Sequence, residues 1–376
     1  MGIKQLYTVI KKECPDAITK INFSEISGYR VAIDISIFLY KHVKFSPSQW
    51  PVSFIRFLCS LRKYRIRAIC IFDGKMMPIE KKTEETKRRE QTQKYVDKSE
   101  ECEAIRKELK KLPKDSVVMP LELSQRCESL MTQKRAKNQI NFADSFEVSA
   151  ALDVTIKKLD GYKEKIDDEK TKLAQKICDA LGITYYQAEG EAEMLCCYLQ
   201  INNLVDAVLT EDTDVLAYGC KVMLAPKELK GGNQVYRIDL NSILKGMSME
   251  FKDFKDLCIC LRCDYNKHNG SIYGYLPDSK TGKPTKIGTV GMVKMFKTYI
   301  NFETVETHLV NPEDLDVENC REILSVPNKI KNISVRNFIQ PPSKSKILKI
   351  LQKKGLVIYD LDKLLDYWSP PQFIRE

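Results

Sequence analysis

Short apolar runs that end on an acidic residue recur along this chain, and they predict buried strands. Residues 30–34 (RVAID) and 66–73 (IRAICIFD) are runs of this kind, and residues 53–64 between them have helical spacing. Strands that alternate with helices predict an α/β fold with a parallel-type central sheet flanked by helices. The same reasoning predicts helices at 173–182 and from 189 onward, and strands at 183–188, 204–210, 220–224 and 234–238.

Carboxylates lie at the ends of these predicted elements. In a parallel sheet the working site lies beyond the carboxyl ends of the strands, so acids placed there can converge. An Asp alone is a common turn residue, and Glu is tolerated at a helix N-terminus, so each position taken singly can be explained by a purely structural role. The set as a whole is harder to explain that way: Asp34, Asp73, Glu191, Glu193, Asp212, Asp214 and Asp264.

Gathered acids indicate a particular chemistry. Carboxylates in one place repel each other and resist ionising together, so a chain that builds such a cluster usually holds hard divalent cations with it. Magnesium prefers oxygen ligands and keeps several waters, which suits a few carboxylates plus substrate phosphates. Two such ions can promote phosphodiester hydrolysis, so the sequence predicts a two-metal nuclease.

Composition adds a polyanion partner to this prediction. Lys plus Arg total 61 against 51 Asp plus Glu, a net charge of +10 with a pI near 8.8. A basic surface around an acidic pocket suits nucleic acid, although a Lys-rich genome would give the same total. The N-terminus has no signal-peptide pattern and no stretch is long and apolar enough to span a membrane, so an intracellular protein is expected.

The cysteines agree with an intracellular location. There are 13, many of them in apolar runs, which indicates reduced and buried thiols. Cys260 and Cys263 form a C-x-x-C pair, but a second ligand pair at zinc-site spacing is missing, so buried thiols are favoured over a zinc-stabilised binding module.

Changes of composition divide the chain. Residues 81–165 are rich in charge and nearly free of Gly, which predicts a helical, mostly solvated insertion. The polar, Gly- and Pro-rich stretch 267–286 is predicted as a loop, and KIGTVGMVKMF after it as a helix start. The predicted divisions are two nuclease regions at 1–80 and 166–250, the insertion at 81–165, a DNA-binding region at 251–315 and a helical C-terminal region at 316–376.

In this order, the motifs resemble those of the flap endonuclease/XPG family of structure-specific, magnesium-dependent 5′ nucleases. The matching pieces lie within residues 1–90 and 170–300, and they are MGIKQL, VAIDISIFLY, IFDGK, QAEGEAE, TEDTDVLAYG, CDY and IGTVG. The resemblance implies that the seven carboxylates bind or orient two Mg²⁺ ions, for which Mn²⁺ can substitute. It also implies a helical arch built from the insertion.

Basic and aromatic positions also acquire implied roles. Lys81 and Arg88 match a pair that steers the scissile phosphate and stabilises its developing charge, with Lys82 and Lys87 as competitors. Tyr40 would stack on a flipped substrate base. Gly2 would lie near the active site once Met1 is removed. Two further sets would contact DNA. A helix–two-turn–helix unit would hold duplex backbone, often with K⁺, and its residues are Ile287, Gly288, Thr289, Val290 and Gly291. A junction wedge would consist of Phe45, Pro47, Trp50 and Pro51.

The expected function is hydrolysis of phosphodiesters at single-strand/duplex DNA junctions, as a 5′-flap endonuclease with 5′–3′ exonuclease activity, in replication, repair or recombination. Branched or flapped DNA is the expected partner of a monomer. The ending QFIRE matches a sliding-clamp peptide poorly. The alternatives are a relative that cuts Holliday junctions or bubbles and a non-catalytic DNA-binding scaffold. A divergent, Lys-rich member could be viral, which would place it in the nucleus or at a cytoplasmic replication site.

Overall fold

The computed structural model describes residues 2–3, 5–76, 82–112, 118–130, 140–226, 233–267, 271–277, 284–330, 333 and 340–368, without the side chains of 82–85, 87, 88, 276 and 277. Its helices are α1 Leu6–Glu13, α2 Ile35–Phe45, α3 Trp50–Lys63, α4 Lys82–Leu109, α5 Leu121–Leu130, α6 Ser145–Lys163, α7 Asp168–Leu181, α8 Ala192–Ile201, α9 Asp214–Ala217, α10 Leu240–Met247, α11 Phe251–Cys260, α12 Thr289–Tyr299, α13 Phe302–Glu306, α14 Val317–Ile323, α15 Lys344–Lys353 and α16 Leu361–Leu365.

The strands that the structure describes form one large sheet and one hairpin. The sheet order is β1-β7-β6-β5-β2-β3-β4 and the hairpin is β8-β9. Strands 30–34 and 66–73 are found at the predicted places, with small differences at the ends. The strand bounds are β1 Ile18–Asn22, β2 Arg30–Asp34, β3 Arg67–Phe72, β4 Thr184–Gln187, β5 Ala207–Leu209, β6 Val222–Pro226, β7 Gln234–Asp239, β8 Ile272–Pro277 and β9 Pro284–Ile287.

The central sheet is mostly parallel, as predicted, with one antiparallel edge. Strands β4, β3, β2, β5 and β6 pair in parallel, whereas β7 is antiparallel to both β6 and β1. The described sheet departs from parallel pairing at this edge because the connection there is short. Only residues 227–233 separate β6 from β7, and a parallel crossover needs about a dozen residues or more. Strand β1 was missed because its alternation of polar and apolar residues is short.

The chain divides into two compact units. The first comprises Met1–Leu39, Pro51–Lys82 and Asp168–Glu376, and the second comprises Tyr40–Trp50 and Thr83–Asp167. The sheet and its flanking helices belong to the first unit, whose core includes Ile69 and Ile71 of β3, Val208 of β5 and Leu199 of α8, all almost fully buried. This unit contains all the predicted carboxylates.

The second unit has a hydrophobic core of its own. Side chains from α4, α5 and α6 meet in it, so the stretch predicted as mostly solvated buries its apolar positions among themselves. Helix α6 begins at the N-cap Asp144, whose carboxylate accepts the Phe146 and Glu147 N–H groups. Within the described residues this core contains Cys102, Ile105, Met119, Leu123, Cys127, Val148, Leu152, Ile156 and Leu159.

A hairpin replaces part of the predicted loop at 267–286. Strands β8 and β9 are antiparallel, with Ile272 opposite Ile287 and Tyr273 opposite Lys286. The loop prediction was wrong because Gly and Pro outweigh the other residues of this stretch in composition, whereas Ile272, Tyr273 and Tyr275 favour a strand.

The cysteines are buried, as the sequence indicates. All thirteen have free thiols and lie in the interior. Cys263 Sγ lies 3.9 Å from Cys320 Sγ, which belongs to helix α14. In the ranges that the structure describes, no helix combines the length and apolarity needed to cross a bilayer.

Candidate active site

Hydrogen bonds connect three of the predicted acids across two neighbouring strands. Asp34 ends β2, and its Oδ2 accepts the Thr210 hydroxyl at 3.0 Å. The Thr210 Oγ1 accepts the Asp212 N–H at 3.1 Å, and Asp212 Oδ1 accepts the Asp214 N–H at 3.0 Å. These side chains meet because β2 and β5 are parallel neighbours that end at the same edge of the sheet.

Backbone contacts fix Asp73 against the loop before α8. The Gly74 N–H donates to the Gly190 carbonyl at 2.6 Å. A Cβ on Gly74 would lie 2.1 Å from the Glu189 carbonyl oxygen, so this approach requires glycine. The Asp73 carboxylate accepts the Ala192 N–H at 3.0 Å, at the first residue of α8. The structure therefore brings the predicted IFDGK and QAEGEAE motifs together.

The acids act on one another electrostatically. Burial, and next the charge of Asp73, raise the pKa of the Asp34 carboxyl well above its ordinary value, and Asp212 adds to the effect. Burial also raises the pKa of Glu193, and the charges of Asp34, Asp212, Asp73 and Glu191 raise it further. Five acids on four elements thus form one electrostatic cluster.

The N-terminal segment packs directly on this cluster. The Ile3 N–H donates to Asp214 Oδ1 at 2.7 Å. Gly2 has a φ of +82°, and a Cβ built on it would lie 2.1 Å from Asp212 Oδ1 and 2.6 Å from Asp214 Oδ1. The position therefore excludes any side chain, which agrees with the implied place of Gly2 beside the active site.

The donor set fits hard divalent cations. The cluster offers carboxylate oxygens, and cations placed among them would relieve the repulsion that raises the pKa values of Asp34 and Glu193. Among the described residues, no three His, Cys, Asp or Glu side chains form a preformed metal cage. Mg²⁺ is one hard divalent cation, and it takes one or two carboxylates together with several waters and substrate phosphates.

The remaining predicted site residues belong to other elements of the chain. Asp264 is half-buried in the turn after α11. Tyr40 lies on α2 in the second unit, is 37% exposed, and has the Lys44 ammonium 5.6 Å from its ring centroid. Lys81 lies outside the described residues. Lys82, Lys87 and Arg88 belong to α4, with their side chains outside the described part.

The predicted helix start at Gly288 is present. Gly288 is the N-cap of α12, and its carbonyl accepts the Met292 N–H at 2.9 Å. Gly288 and Val290 are exposed, whereas Ile287, Thr289 and Gly291 are half-buried. Helix α13 follows after a short turn at Asn301, so two consecutive helices occupy the stretch where a helix–two-turn–helix unit was expected.

Comparison with known proteins identifies the relatives of this chain. The XPG N-terminal domain model matches residues 1–95, and the XPG I-region model matches residues 182–264. A probable RAD2-like endonuclease of Invertebrate iridescent virus 3 is 30% identical over 370 residues, covering 91% of this chain and 90% of that protein. This chain belongs to the XPG family.

Two further comparisons extend across nearly the whole chain. Flap endonuclease 1 of Theileria parva is 25% identical over 401 residues, covering 99% of this chain and 69% of that protein. The catalytic core of Rad2 in complex with DNA substrate has a similar fold, with a TM-score of 0.58, 17% identity, and coverage of 97% of this chain and 99% of that one. The XPG-family fold thus includes the mostly parallel sheet described above.

Sequence reasoning missed two tyrosines behind the acids of this XPG-family site. The Tyr265 hydroxyl donates to the Glu191 carboxylate, and Tyr218 Oη lies 3.3 Å from Tyr265 Oη. Both rings are buried. Tyr265 follows Asp264 in the CDY motif, and Tyr218 lies in the TEDTDVLAYG motif. Their apolar surroundings are typical of core aromatics, so only the hydrogen bonds reveal that they can orient Glu191.

Replacing Tyr265 with Phe should slow DNA cleavage by about 10- to 100-fold and raise the Mg²⁺ concentration needed for the half-maximal cleavage rate. The substitution removes the donor to Glu191 while keeping the buried ring. Rates measured across a Mg²⁺ titration test this expectation. Tyr198→Phe is the matched control, because the buried Tyr198 hydroxyl accepts the Ile330 N–H instead. An unchanged rate and Mg²⁺ dependence in Tyr265→Phe would contradict it.

The metal-free protein should lose stability as pH rises. The raised pKa values of Asp34 and Glu193 mean that the folded state holds more protons than the unfolded chain. Their contribution is therefore fully present below an unfolded pKa of about 4 and is lost as pH rises through the folded values. In EDTA near neutral pH, Glu193→Gln should increase the free energy of unfolding by on the order of 1 kcal/mol and flatten its pH dependence.

The control for this measurement lies in the segment directly before α8. Glu189 is exposed, so Glu189→Gln should leave the pH dependence of the melting temperature close to that of wild type. Saturating Mg²⁺ should remove most of the stability that Glu193→Gln gains over wild type, because the ion binds most tightly to the wild-type cluster with all its carboxylates. Equal pH profiles for wild type and Glu193→Gln in EDTA would show that the acids do not repel one another.

Proposed function

We propose that this chain is a structure-specific 5′ nuclease that hydrolyses phosphodiesters at single-strand/duplex DNA junctions, with a 5′ flap as its preferred substrate. The observation that supports this most is the cluster of mutually repelling acids at one edge of the sheet. The relatives named as endonucleases and flap endonuclease 1 support the same reaction class.

Divalent ions would be held by the carboxylates. The Thr210 hydroxyl donates to the Asp34 carboxylate and accepts the Asp212 backbone N–H, so it orients the Asp34 side chain and fixes the backbone at Asp212. Asp73 is fixed by the N-terminus of α8, and Glu191 by Tyr265. Two Mg²⁺ ions, when bound, would activate the attacking water and stabilise the leaving oxygen. Residues held this firmly need little reorganisation when the phosphate arrives.

The remaining family roles are part of the proposal. Asp264 would complete the metal set, and Lys81 and Arg88 would steer the scissile phosphate, with Lys82 and Lys87 as competitors. Tyr40 would stack on a displaced base, a role supported by its partial exposure. Mn²⁺ would substitute for Mg²⁺, K⁺ would bind at the start of α12, and the protein would act as an intracellular monomer.

A substrate panel tests the proposed function. End-labelled 5′-flap, bubble, four-way junction, nicked duplex and single-strand DNAs would be incubated with the protein and Mg²⁺. Cleavage at the flap base at a rate well above that of the other DNAs is expected. Preferred cutting of the four-way junction or bubble would replace the flap assignment. Tight, salt-sensitive binding without any cutting would indicate a DNA-binding scaffold.

A further inference from the structure

The β8–β9 hairpin presents an aromatic face to solvent. Along β8, Tyr273 is 42% exposed and Tyr275 is 62% exposed, whereas Gly274 between them is buried. The pairing of β8 with β9 shifts register between Gly274 and Pro277, but the antiparallel bridge from Gly274 to Leu309 keeps residues 273–275 extended on the other side. Both rings therefore lie on the same face of this stretch. The opposite face packs inward through Ile272 and Ile287, which contact the core of the first unit.

The backbone that carries these rings is held on both sides. Besides its pairing with β9, β8 receives hydrogen bonds from a third segment: the Tyr275 N–H donates to the His308 carbonyl at 3.1 Å, and the Val310 N–H donates to the Tyr273 carbonyl at 2.9 Å. A Cβ on Gly274 would lie 3.1 Å from Ile287 Cδ1, so glycine lets the hairpin pack closely. The aromatic face therefore belongs to a fixed part of the fold.

Exposed lysines accompany the two rings in the segments that carry them. Lys286 lies directly opposite Tyr273 in the strand register and is exposed. The segments 271–277 and 284–300 contain no Asp or Glu, and they contain Lys286, Lys294 and Lys297. Of these, Lys297 pairs with Glu13. Lys286 and Lys294 supply positive charge for a polyanion, and the exposed Glu306, two residues before His308, partly offsets it.

The aromatic face continues into a helix start. Strand β9 ends at Ile287 and α12 begins at Thr289, so one residue separates the two. Val290 is 54% exposed, and Lys294, one helical turn later, is also exposed. Tyrosines two positions apart on a strand lie about 7 Å apart. That separation covers roughly two phosphates of one strand of B-DNA, which has one per 3.4 Å of axis.

We propose that Tyr273, Tyr275 and Lys286 bind the sugar–phosphate backbone of a duplex arm of the substrate, beyond the part held at the start of α12. The tyrosine hydroxyls would donate to phosphate oxygens, the rings would pack on sugars, and Lys286 would supply charge. This inference rests on the proposed function. It adds a contact that reads no bases, so affinity should depend on arm length and salt rather than on sequence.

Binding of 5′-flap DNA in EDTA tests the inference, because cleavage is then prevented. Arms of roughly 20 and roughly 6 base pairs, about 68 and 20 Å of helix axis, would be compared. For the long arm, Tyr273→Ser/Tyr275→Ser/Lys286→Ser should weaken binding on the order of tenfold. It should also lower the slope of log K against log salt by about 1. For the short arm, wild type and variant should bind alike.

Matched controls separate this contact from general effects. Tyr359 is 96% exposed and Lys349 is exposed on α15, so Tyr359→Ser/Lys349→Ser removes similar groups from another surface and should bind like wild type. The melting temperature of the hairpin variant should match that of wild type. If it does not, Lys286→Ser alone should still lower the salt slope by about 1.

The outcomes distinguish this inference from the proposed function. If wild type does not cut the flap with Mg²⁺, the proposed function fails, whatever the binding shows. If wild type cuts the flap and the hairpin variant binds the long arm with unchanged affinity and salt slope, the hairpin inference alone fails. It also fails if the loss is equal for both arm lengths, or appears only on single-stranded DNA.

Discussion

Replacing Asp212 with Asn is expected to lower the cleavage rate of 5′-flap DNA by on the order of 10³-fold or more. Asp212 accepts the Asp214 N–H, donates its own N–H to Thr210, and acts electrostatically on Asp34 and Glu193. Its carboxylate thus belongs to the acid cluster and interacts with three of its members. The amide keeps the size of the side chain but removes the charge that a divalent ion needs. Single-turnover rates at saturating protein measure the effect on chemistry.

The neighbouring acid supplies the control. Glu211→Gln removes the adjacent charge, one residue before Asp212 and outside the predicted ligand set, and should keep most of the rate. The affinity of Asp212→Asn for flap DNA in EDTA should equal or exceed that of wild type, because a negative charge near the phosphates is lost. Retention of more than about a tenth of the wild-type rate would exclude Asp212 from a ligand role.

Gly2→Ala is expected to reduce the cleavage rate by about 10²-fold, a loss that a displacement of about 1 Å in an active site can cause. A Cβ at this position would lie within 2.6 Å of both Asp212 Oδ1 and Asp214 Oδ1. The N-terminal segment or the two carboxylates must therefore move. The hydrogen bond from the Ile3 N–H to Asp214 joins these parts, so the displacement should reach the acids directly. Rates at saturating Mg²⁺ and DNA measure the loss.

Gly28→Ala separates the clash from backbone strain. Gly28 has a φ of +86°, close to that of Gly2, but a Cβ there would have no heavy atom within 4 Å. Both substitutions therefore place alanine in the left-handed region, at about 1–2 kcal/mol each. Only Gly2→Ala also presses on the carboxylates. Equal activity in the two variants would mean that the acids tolerate the added methyl group.

Much of the first unit could be predicted because its local sequence patterns agree with the way its strands pair. The apolar runs ending at Asp34 and Asp73 are buried on both faces of the sheet, so their composition alone indicates strands. Parallel pairing then places their ends at one edge, which is why the acids could be expected to converge. The roles assigned to individual site residues stay predictions until the variants are measured.

Other features depend on contacts between distant segments. The hydroxyls of Tyr218 and Tyr265 have partners 47 and 74 residues away, and nothing in their local sequence separates them from core aromatics. The β8–β9 hairpin depends partly on pairing with residues near His308, which local turn signals do not show. The core of the second unit uses apolar residues scattered among charges, a pattern that indicates a solvated helix when considered locally.

The free thiols make each hydrophobic core accessible to separate chemical observation. Cys102 and Cys127 lie in the core of the second unit, whereas Cys196, Cys197 and Cys258 lie in that of the first. Burial raises the pKa of all five, so a thiol reagent attacks them only when the surrounding core opens. Mass spectrometry of native-state alkylation would therefore yield the opening free energies of these two cores at each cysteine, without any engineered cysteine.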